Sequence, residues 1–82
     1  MSTIKIAIAD DYKIYRDGLK VGLSADENME VIFEADNGEE LMKGLESNAP
    51  DVIIMDLKMP IMDGMEATKA VRLKYPDIKV LV

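Results

Sequence analysis

Three aspartates stand where predicted strands end. Asp10 and Asp11 directly follow the alternating apolar segment Ile4–Ala9, and Asp56 ends the unbroken apolar run Val52–Met55. Ligands of open α/β sheets bind beyond the carboxyl ends of the strands, so neighbouring strands would bring these carboxylates into one pocket. Three unpaired anions repel one another and persist together mainly when a cation neutralises them. Because oxygen-only ligands select hard ions, the predicted metal is Mg²⁺.

A purely structural interpretation of these acids stays open at this point. Acidic residues are common in loops at strand ends, and Asp10-Asp11 alone is weak support for a site. The position of Asp56 immediately before Leu57–Gly64 carries more weight, for reasons given below.

The composition excludes several kinds of chemistry within this chain. It has 82 residues, ten basic and sixteen acidic side chains, no Cys and no His. Disulfides, thiolate metal sites, Cys nucleophiles, zinc–histidine sites and His acid–base pairs are therefore excluded. A net charge of −6 repels a phosphate backbone, so we expect no direct nucleic-acid binding by this segment.

Length and patterning predict one small soluble domain. A hydrophobic content of 49% is too high for a disordered chain, and no apolar run approaches the ~20 residues of a membrane span. Met1-Ser2-Thr3 runs into the first strand pattern without the basic and apolar regions of a secretory signal. The expected location is cytoplasmic.

Apolar periodicity predicts the element order β-α-β-α-β-α-β. The predicted strands are Ile4–Ala9, Val31–Ala35, Val52–Met55 and Ile78–Val82. Helices are predicted over Tyr12–Ser24, after Asn37, and from Asp63 to Tyr75. Asn37 and Asp63 each precede a Glu by three residues, as in a capping box. Short connections favour right-handed crossovers and a parallel sheet with helices on both faces, which is an α/β fold.

The first helix is predicted to be amphipathic. Its polar arc carries Lys13, Arg16, Asp17, Lys20 and Ser24, and its apolar arc carries Ile14, Tyr15, Leu19, Val21 and Leu23. Gly18 and Gly22 fall on the apolar arc, where the missing side chains would let the helix approach the sheet closely.

The motifs around the acids resemble one family. The chain carries Asp10-Asp11, then Met55-Asp56-Leu57-Lys58-Met59-Pro60, then Met62-Asp63-Gly64. This set resembles the receiver domain of two-component response regulators, the CheY-like family, and the resemblance spans the whole chain. It implies a three-layer α-β-α fold of the flavodoxin type, with strand order 2-1-3-4.

The resemblance also implies roles for the acids. Asp56 would accept a phosphoryl group from a sensor histidine kinase. Asp11, Asp56 and the backbone carbonyl of Lys58 would bind Mg²⁺ directly, and Asp10 would act mostly through a bound water. The domain would not be an enzyme, since it would catalyse only its own phosphorylation and dephosphorylation.

The neighbouring residues are interpreted as structural. Pro60 and Gly64 shape the backbone of the loop after Asp56, and Asp63 caps the following helix. The methionines near the acids are interpreted as core gap-fillers: Met55, Met59, Met62 and Met65.

The segment Tyr12–Leu19 is similar to the first helix of the NarL/FixJ subfamily, in which a His commonly occupies the position of Tyr12. Members usually carry a C-terminal helix-turn-helix domain, so the parent protein is expected to be a DNA-binding transcriptional regulator. Under the same resemblance, Lys13, Ile14 and Asp17 are candidates for contact with the kinase.

A complete receiver domain resembles this chain with a further helix, a fifth strand and a final helix. Residues 1–82 are therefore interpreted as a receiver domain that lacks its last helix-strand-helix portion. Two residues of that portion would be missing with it: a switch hydroxyl and a lysine that pairs with the phosphate. We expect switching to fail in this chain. Ile78–Val82 would form an open edge strand, which predicts self-association.

Two other functions remain as alternatives. One is a pseudo-receiver that binds partners without phosphorylation, against which the intact Asp10, Asp11 and Asp56 argue. The other is a phosphatase with an aspartyl-phosphate intermediate. That class resembles an α/β fold with a second Asp two residues after the nucleophile, where this chain has Lys58.

Overall fold

The computed structural model describes residues 3–82. Met1 and Ser2, which belong to the segment examined for a secretory signal, lie outside the described residues. The strands are β1 (Ile4–Ala9), β2 (Met29–Ala35), β3 (Val52–Met55) and β4 (Lys79–Leu81), and the helices are α1 (Lys13–Ser24), α2 (Gly38–Leu45) and α3 (Gly64–Lys74). The predicted order β-α-β-α-β-α-β is confirmed.

The four strands form one parallel sheet in the order β2-β1-β3-β4. This confirms the strand order that the resemblance implied. The element limits differ from the sequence pattern by one or two residues. β2 starts at Met29, and β4 stops at Leu81, because the pairing with the neighbouring strand and not the apolar pattern sets the ends.

The sheet separates two unequal layers of helices. The chain leaves β1 towards β2 and then returns past β1 to β3 and β4, so right-handed crossovers place α1 on one face and α2 with α3 on the other. The core lies on the α2–α3 side. Its buried members are Ala7, Ala9, Ala35, Leu41, Leu45, Ile53, Met55, Met59, Ala67 and Val71.

The orientation predicted for α1 is wrong. Arg16 from the polar arc is buried, with 8% of its surface exposed, whereas Ile14 and Val21 from the apolar arc are each 74% exposed. Gly18 and Gly22 face open space and do not allow a close approach to the sheet. Arg16 is buried because α1 packs on β2, which presents an acidic side chain to it.

Close packing occurs at a different glycine. A Cβ at Gly44 in α2 would lie 2.3 Å from the Phe33 ring of β2. The helix that approaches the sheet through a missing side chain is therefore α2.

Candidate functional site

Strand pairing brings Asp10 and Asp56 side by side. β1 and β3 are neighbours, with Ala9 opposite Met55, so the next residue of each strand leaves the sheet at the same edge. The backbone N–H of Asp56 donates to the Ala9 carbonyl at 2.9 Å, which continues the ladder to the acids. The paired apolar segments of β1 and β3 thus set the backbone positions of Asp10 and Asp56.

Asp10, Asp11 and Asp56 form one cluster. Each offers a carboxylate oxygen, and these oxygens all lie within 4.8 Å of one another. Asp10 is buried, Asp56 is half-buried and Asp11 is exposed, so the cluster opens to solvent on the Asp11 side. Within residues 3–82 none of the three carboxylates is in an ion pair. An all-oxygen donor set with unneutralised charge suits a hard divalent cation.

The backbone of Lys58 lies beside the Asp56 carboxylate. Its N–H approaches Asp56 Oδ1 at 3.4 Å, which is too long for a strong hydrogen bond. Lys58 itself is exposed. The Asp56 carboxylate is therefore close to this backbone segment but only weakly held by it.

Gly64 closes the loop that follows Asp56. Its N–H donates to the Leu57 carbonyl at 2.9 Å, and a Cβ at this position would lie 2.1 Å from the Asp56 carbonyl oxygen. No side chain fits there without a shift of the Asp56 backbone. The sequence interpretation of Gly64 as a backbone device is confirmed, and its reason is close approach.

The middle of the same loop is a tight turn at Ile61. The Met62 N–H donates to the Pro60 carbonyl at 2.7 Å, and Ile61 between them has φ 69°. This is the geometry of a γ-turn with positive φ, a rare and strained conformation, and it is unusual for a β-branched residue. The Met62 carbonyl accepts from the Gly38 N–H at 2.9 Å, so the turn is attached to the start of α2.

The predicted structural roles near the site are confirmed with one exception. Asp63 caps α3 by accepting from the Glu66 N–H at 2.9 Å. Met55 and Met59 are buried, and Met62 packs against the core. Met65 is 57% exposed, so its interpretation as a core gap-filler is wrong. It lies in the first turn of α3.

The candidate kinase contacts on α1 are all accessible in part. Lys13 and Ile14 are exposed, and Asp17 is half-exposed. Lys13 Nζ donates to Asp17 Oδ2 at 3.2 Å one turn away, and this hydrogen bond lowers the pKa of Asp17. The two charged side chains therefore form a surface pair.

Sequence reasoning missed a contact between α1 and the acidic site. Arg16 Nη1 donates to the backbone carbonyl of Asp10 at 2.5 Å and also to the Asp36 carboxylate. Arg16 Nε donates to Glu34 Oε1 at 3.1 Å. The available signal was the pair of acids on either side of Ala35, at the end of a strand that is otherwise apolar there.

Comparison with known proteins identifies the family to which this chain and its carboxylate cluster belong. Residues 6–82 match the family model described as the response regulator receiver domain. The chain belongs to the response regulator receiver family. The receiver resemblance of the motifs around Asp10, Asp11 and Asp56 is thereby confirmed.

Curated proteins similar to this chain are named as transcriptional regulatory proteins or as response regulators. The chain is 42% identical over 79 residues to the transcriptional regulatory protein DegU of Brevibacillus brevis, and 40% identical over 78 residues to the response regulator GacA of Pseudomonas syringae pv. syringae strain B728a. These alignments cover 96% and 95% of the chain but 34% and 36% of the relatives. The receiver chain thus spans about a third of the length of the curated relatives it matches.

A solved receiver domain has a closely similar backbone over the aligned part. The signal receiver domain of NarL from Mycobacterium tuberculosis superimposes with a TM-score of 0.90 at 30% identity, covering 98% of this chain and 64% of that one. This likeness supports the NarL-type character inferred from Tyr12–Leu19. Among residues 3–82, no helix is both long enough and apolar enough to cross a bilayer.

Proposed function

We propose that this receiver domain is a phosphoacceptor, in which Asp56 takes a phosphoryl group from a sensor histidine kinase with the help of Mg²⁺. The observation that supports this is the cluster of three carboxylates within 4.8 Å at the carboxyl edge of β1 and β3. Asp56 is half-buried in it, so this residue stays partly accessible to a donor.

The proposed step is an in-line displacement at phosphorus. A carboxylate oxygen of Asp56 forms a new O–P bond while the bond from phosphorus to the donor atom breaks, and the electron pair of that bond leaves with the donor. The donor is a phosphorylated imidazole of the kinase or a small acyl phosphate. Asp56 is available because its carboxylate accepts only the long contact from Lys58 N–H among the described residues.

Three groups would hold the metal directly: the carboxylates of Asp11 and Asp56 and the backbone carbonyl of Lys58. Asp10 would act through a bound water, which agrees with its burial and with the hydrogen bond from the Tyr12 N–H to its Oδ1 at 2.8 Å. Bound Mg²⁺ would neutralise charge on the phosphoryl oxygens.

The remaining loop residues would keep Asp56 in place. Gly64 lets the start of α3 press against the Asp56 carbonyl, and the attachment of Met62 to Gly38 fixes the far side of the loop. The reacting carboxylate therefore stands on a segment that is held at both ends.

The names of the relatives support a wider proposal. The protein would receive its signal from a sensor kinase in the cytoplasm. It would then affect transcription through a part of the protein other than this acidic domain. The negative charge of the receiver, −6, argues against direct contact between this domain and DNA.

We also propose that this chain by itself associates with other copies through the open edge of β4.

The test is intact mass after incubation of the chain with Mg²⁺ and a small acyl phosphate. We expect the mass of one phosphoryl group to be added, and we expect no addition when Mg²⁺ is chelated. Asp56→Asn should abolish the addition, because the amide is not a nucleophile at this position.

Asp63→Asn is the matched control. It is the same chemical change seven residues along the chain, and Asn is an equally good cap for α3. Phosphorylation of this variant should equal that of the native chain. If Mg²⁺ binds but no phosphoryl group is ever added, the domain is a non-phosphorylated interaction module and the proposal fails.

A further inference from the structure

Arg16 is a buried cation beside the acidic cluster, and the phosphoacceptor function proposed above does not use it. Its side chain is 9% exposed. Arg16 lies in α1, within two helical turns of the segment Asp10–Tyr12. Burying a charge is costly unless it is paired and hydrogen-bonded. Its partners therefore indicate what the residue does.

The charge of Arg16 is balanced by β2. Nε donates to Glu34 at 3.1 Å, and Nη1 donates to the Asp36 carboxylate. Burial disfavours the guanidinium charge, but the hydrogen bond and charge of Asp36, with those of Glu34, outweigh it and raise the pKa of Arg16. With two carboxylates of its own, this cation is not a counter-ion for the aspartate cluster.

What reaches the cluster is a hydrogen bond to the backbone. Arg16 Nη1 donates to the carbonyl of Asp10 at 2.5 Å. That carbonyl belongs to the peptide plane that also contains the N–H of Asp11, so its orientation determines where the Asp11 backbone, and hence its carboxylate, begins.

Asp10 is held at two further points. Its N–H donates to the Ala35 carbonyl at 3.0 Å, and its Oδ1 accepts from the Tyr12 N–H at 2.8 Å. The structure of residues 3–82 gives Asp11 no comparable hydrogen bond, and Asp11 is exposed. The contact from Arg16 is thus the one described side-chain restraint on the Asp10–Asp11 peptide.

We propose that Arg16 is a positioning residue for the metal site: it ties the Asp10–Asp11 peptide to the end of β2, so that the Asp11 carboxylate stays within reach of Asp56. This inference rests on the proposed role of Asp11 as a metal ligand. Mg²⁺ demands near-ideal octahedral geometry, whereas Ca²⁺ accepts irregular sites. A looser Asp11 therefore weakens Mg²⁺ binding more than Ca²⁺ binding.

The test compares the Kd values of Mg²⁺ and Ca²⁺ for the chain and its variants, by NMR titration. Arg16→Lys keeps the charge but cannot reach three acceptors in fork geometry. We expect it to raise the Mg²⁺ Kd about tenfold, the size typical of groups that orient ligands. The Ca²⁺ Kd should change less than about twofold on the same physical argument.

Lys20→Met is the matched control. Lys20 Nζ also contacts Glu34, at 2.7 Å, but in the described chain it makes no contact with Asp10. Removing it perturbs the same ion-pair network without touching the peptide plane. Both Kd values should stay within about twofold of native, since the ligands keep their restraint.

A second variant covers the case in which Arg16→Lys does not fold. Asp36→Asn leaves the guanidinium with a weaker anchor on an exposed side chain, and the Mg²⁺ Kd should rise about threefold, less than on loss of Arg16.

The inference is overturned if every folded variant binds both ions as the native chain does, or if the Mg²⁺ and Ca²⁺ affinities fall equally. If the native chain takes up no Mg²⁺, the proposed function itself fails. If the native chain binds Mg²⁺ and is phosphorylated while the variants match it, only the role of Arg16 fails.

Discussion

Aspartates of this chain differ in the hydrogen bonds that their carboxylates accept. Asp63 accepts from the Glu66 N–H and Asp26 from the Asn28 N–H, so both are committed to local turns and caps. Asp10 accepts from the Tyr12 N–H and is buried. Among residues 3–82, the Asp56 carboxylate has only a 3.4 Å contact, with the Lys58 N–H, which leaves its oxygens available. Residue type and spacing indicated the cluster, but the hydrogen bonds separate the candidate nucleophile from the structural acids.

Ile61 gives a prediction at the scale of one residue. It has φ 69° and is 75% exposed, so it bears a conformational cost without compensating burial. A left-handed conformation costs an L-residue roughly 1–2 kcal/mol. Ile61→Gly should therefore raise the free energy of unfolding by about 1 kcal/mol, after the entropy cost of glycine is subtracted.

Urea denaturation of the native chain and the variants measures this change. Ile61→Ala is the matched control, because it removes the exposed side chain but keeps the Cβ that causes the conflict. Its free energy of unfolding should rise by less than half of the gain seen with glycine. Equal gains for Ala and Gly would show that the turn is not strained by its positive φ.

At the scale of helices and strands, the sequence predicts the sheet correctly but not the face that α1 buries. The parallel α/β sheet follows from apolar runs and short connections, because the handedness of crossovers leaves few topologies. The face that α1 buries does not follow, since a helical pattern defines two faces but not what each will meet. Glu34 on β2 meets α1, and Arg16 turns inward to pair with it. A pairing between residues eighteen apart along the chain leaves little local signal, here the two acids on either side of Ala35.

The glycines test this orientation of α1. Gly18 faces open space inside a helix, so Gly18→Ala should stabilise the chain by about 1 kcal/mol through helix propensity alone. Gly64→Ala should destabilise it by about 2 kcal/mol, because the added Cβ would overlap the Asp56 carbonyl.

Thermal or urea unfolding measures both glycine variants. The Gly64 variant should in addition lose phosphorylation by a small acyl phosphate, since the backbone of the phosphoacceptor has to move. Loss of stability in Gly18→Ala would mean that α1 packs against the sheet through its glycines, contrary to the structure described here.

The whole molecule leaves apolar surface open on the α1 side and at β4. Ile14, Tyr15 and Val21 on α1 are exposed, and so are Leu81 and Val82 at the end of β4. In the part of the chain that the structure describes, β4 pairs with β3 alone and therefore presents one unpaired edge. Exposed edge strands recruit other strands, and contiguous apolar surface favours association.

Self-association of this chain is the prediction that belongs to the whole molecule. Two copies can pair their β4 edges, while the net charge of −6 on each copy opposes their approach. Salt screens that repulsion, with a Debye length of about 10 Å at 0.1 M. Size-exclusion chromatography with light scattering should therefore show a mass above that of the monomer, increasing with protein concentration and with salt.

Substitution at the edge separates pairing through β4 from general stickiness. Leu81→Glu places a charge on the exposed strand and should shift the chain towards monomer. Leu73→Glu makes the same change on α3, at a side chain that is 88% exposed and belongs to no strand. It should leave the association unchanged. A native chain that stays monomeric at every concentration and salt would show that the open edge of β4 does not pair, whatever the outcome at Asp56.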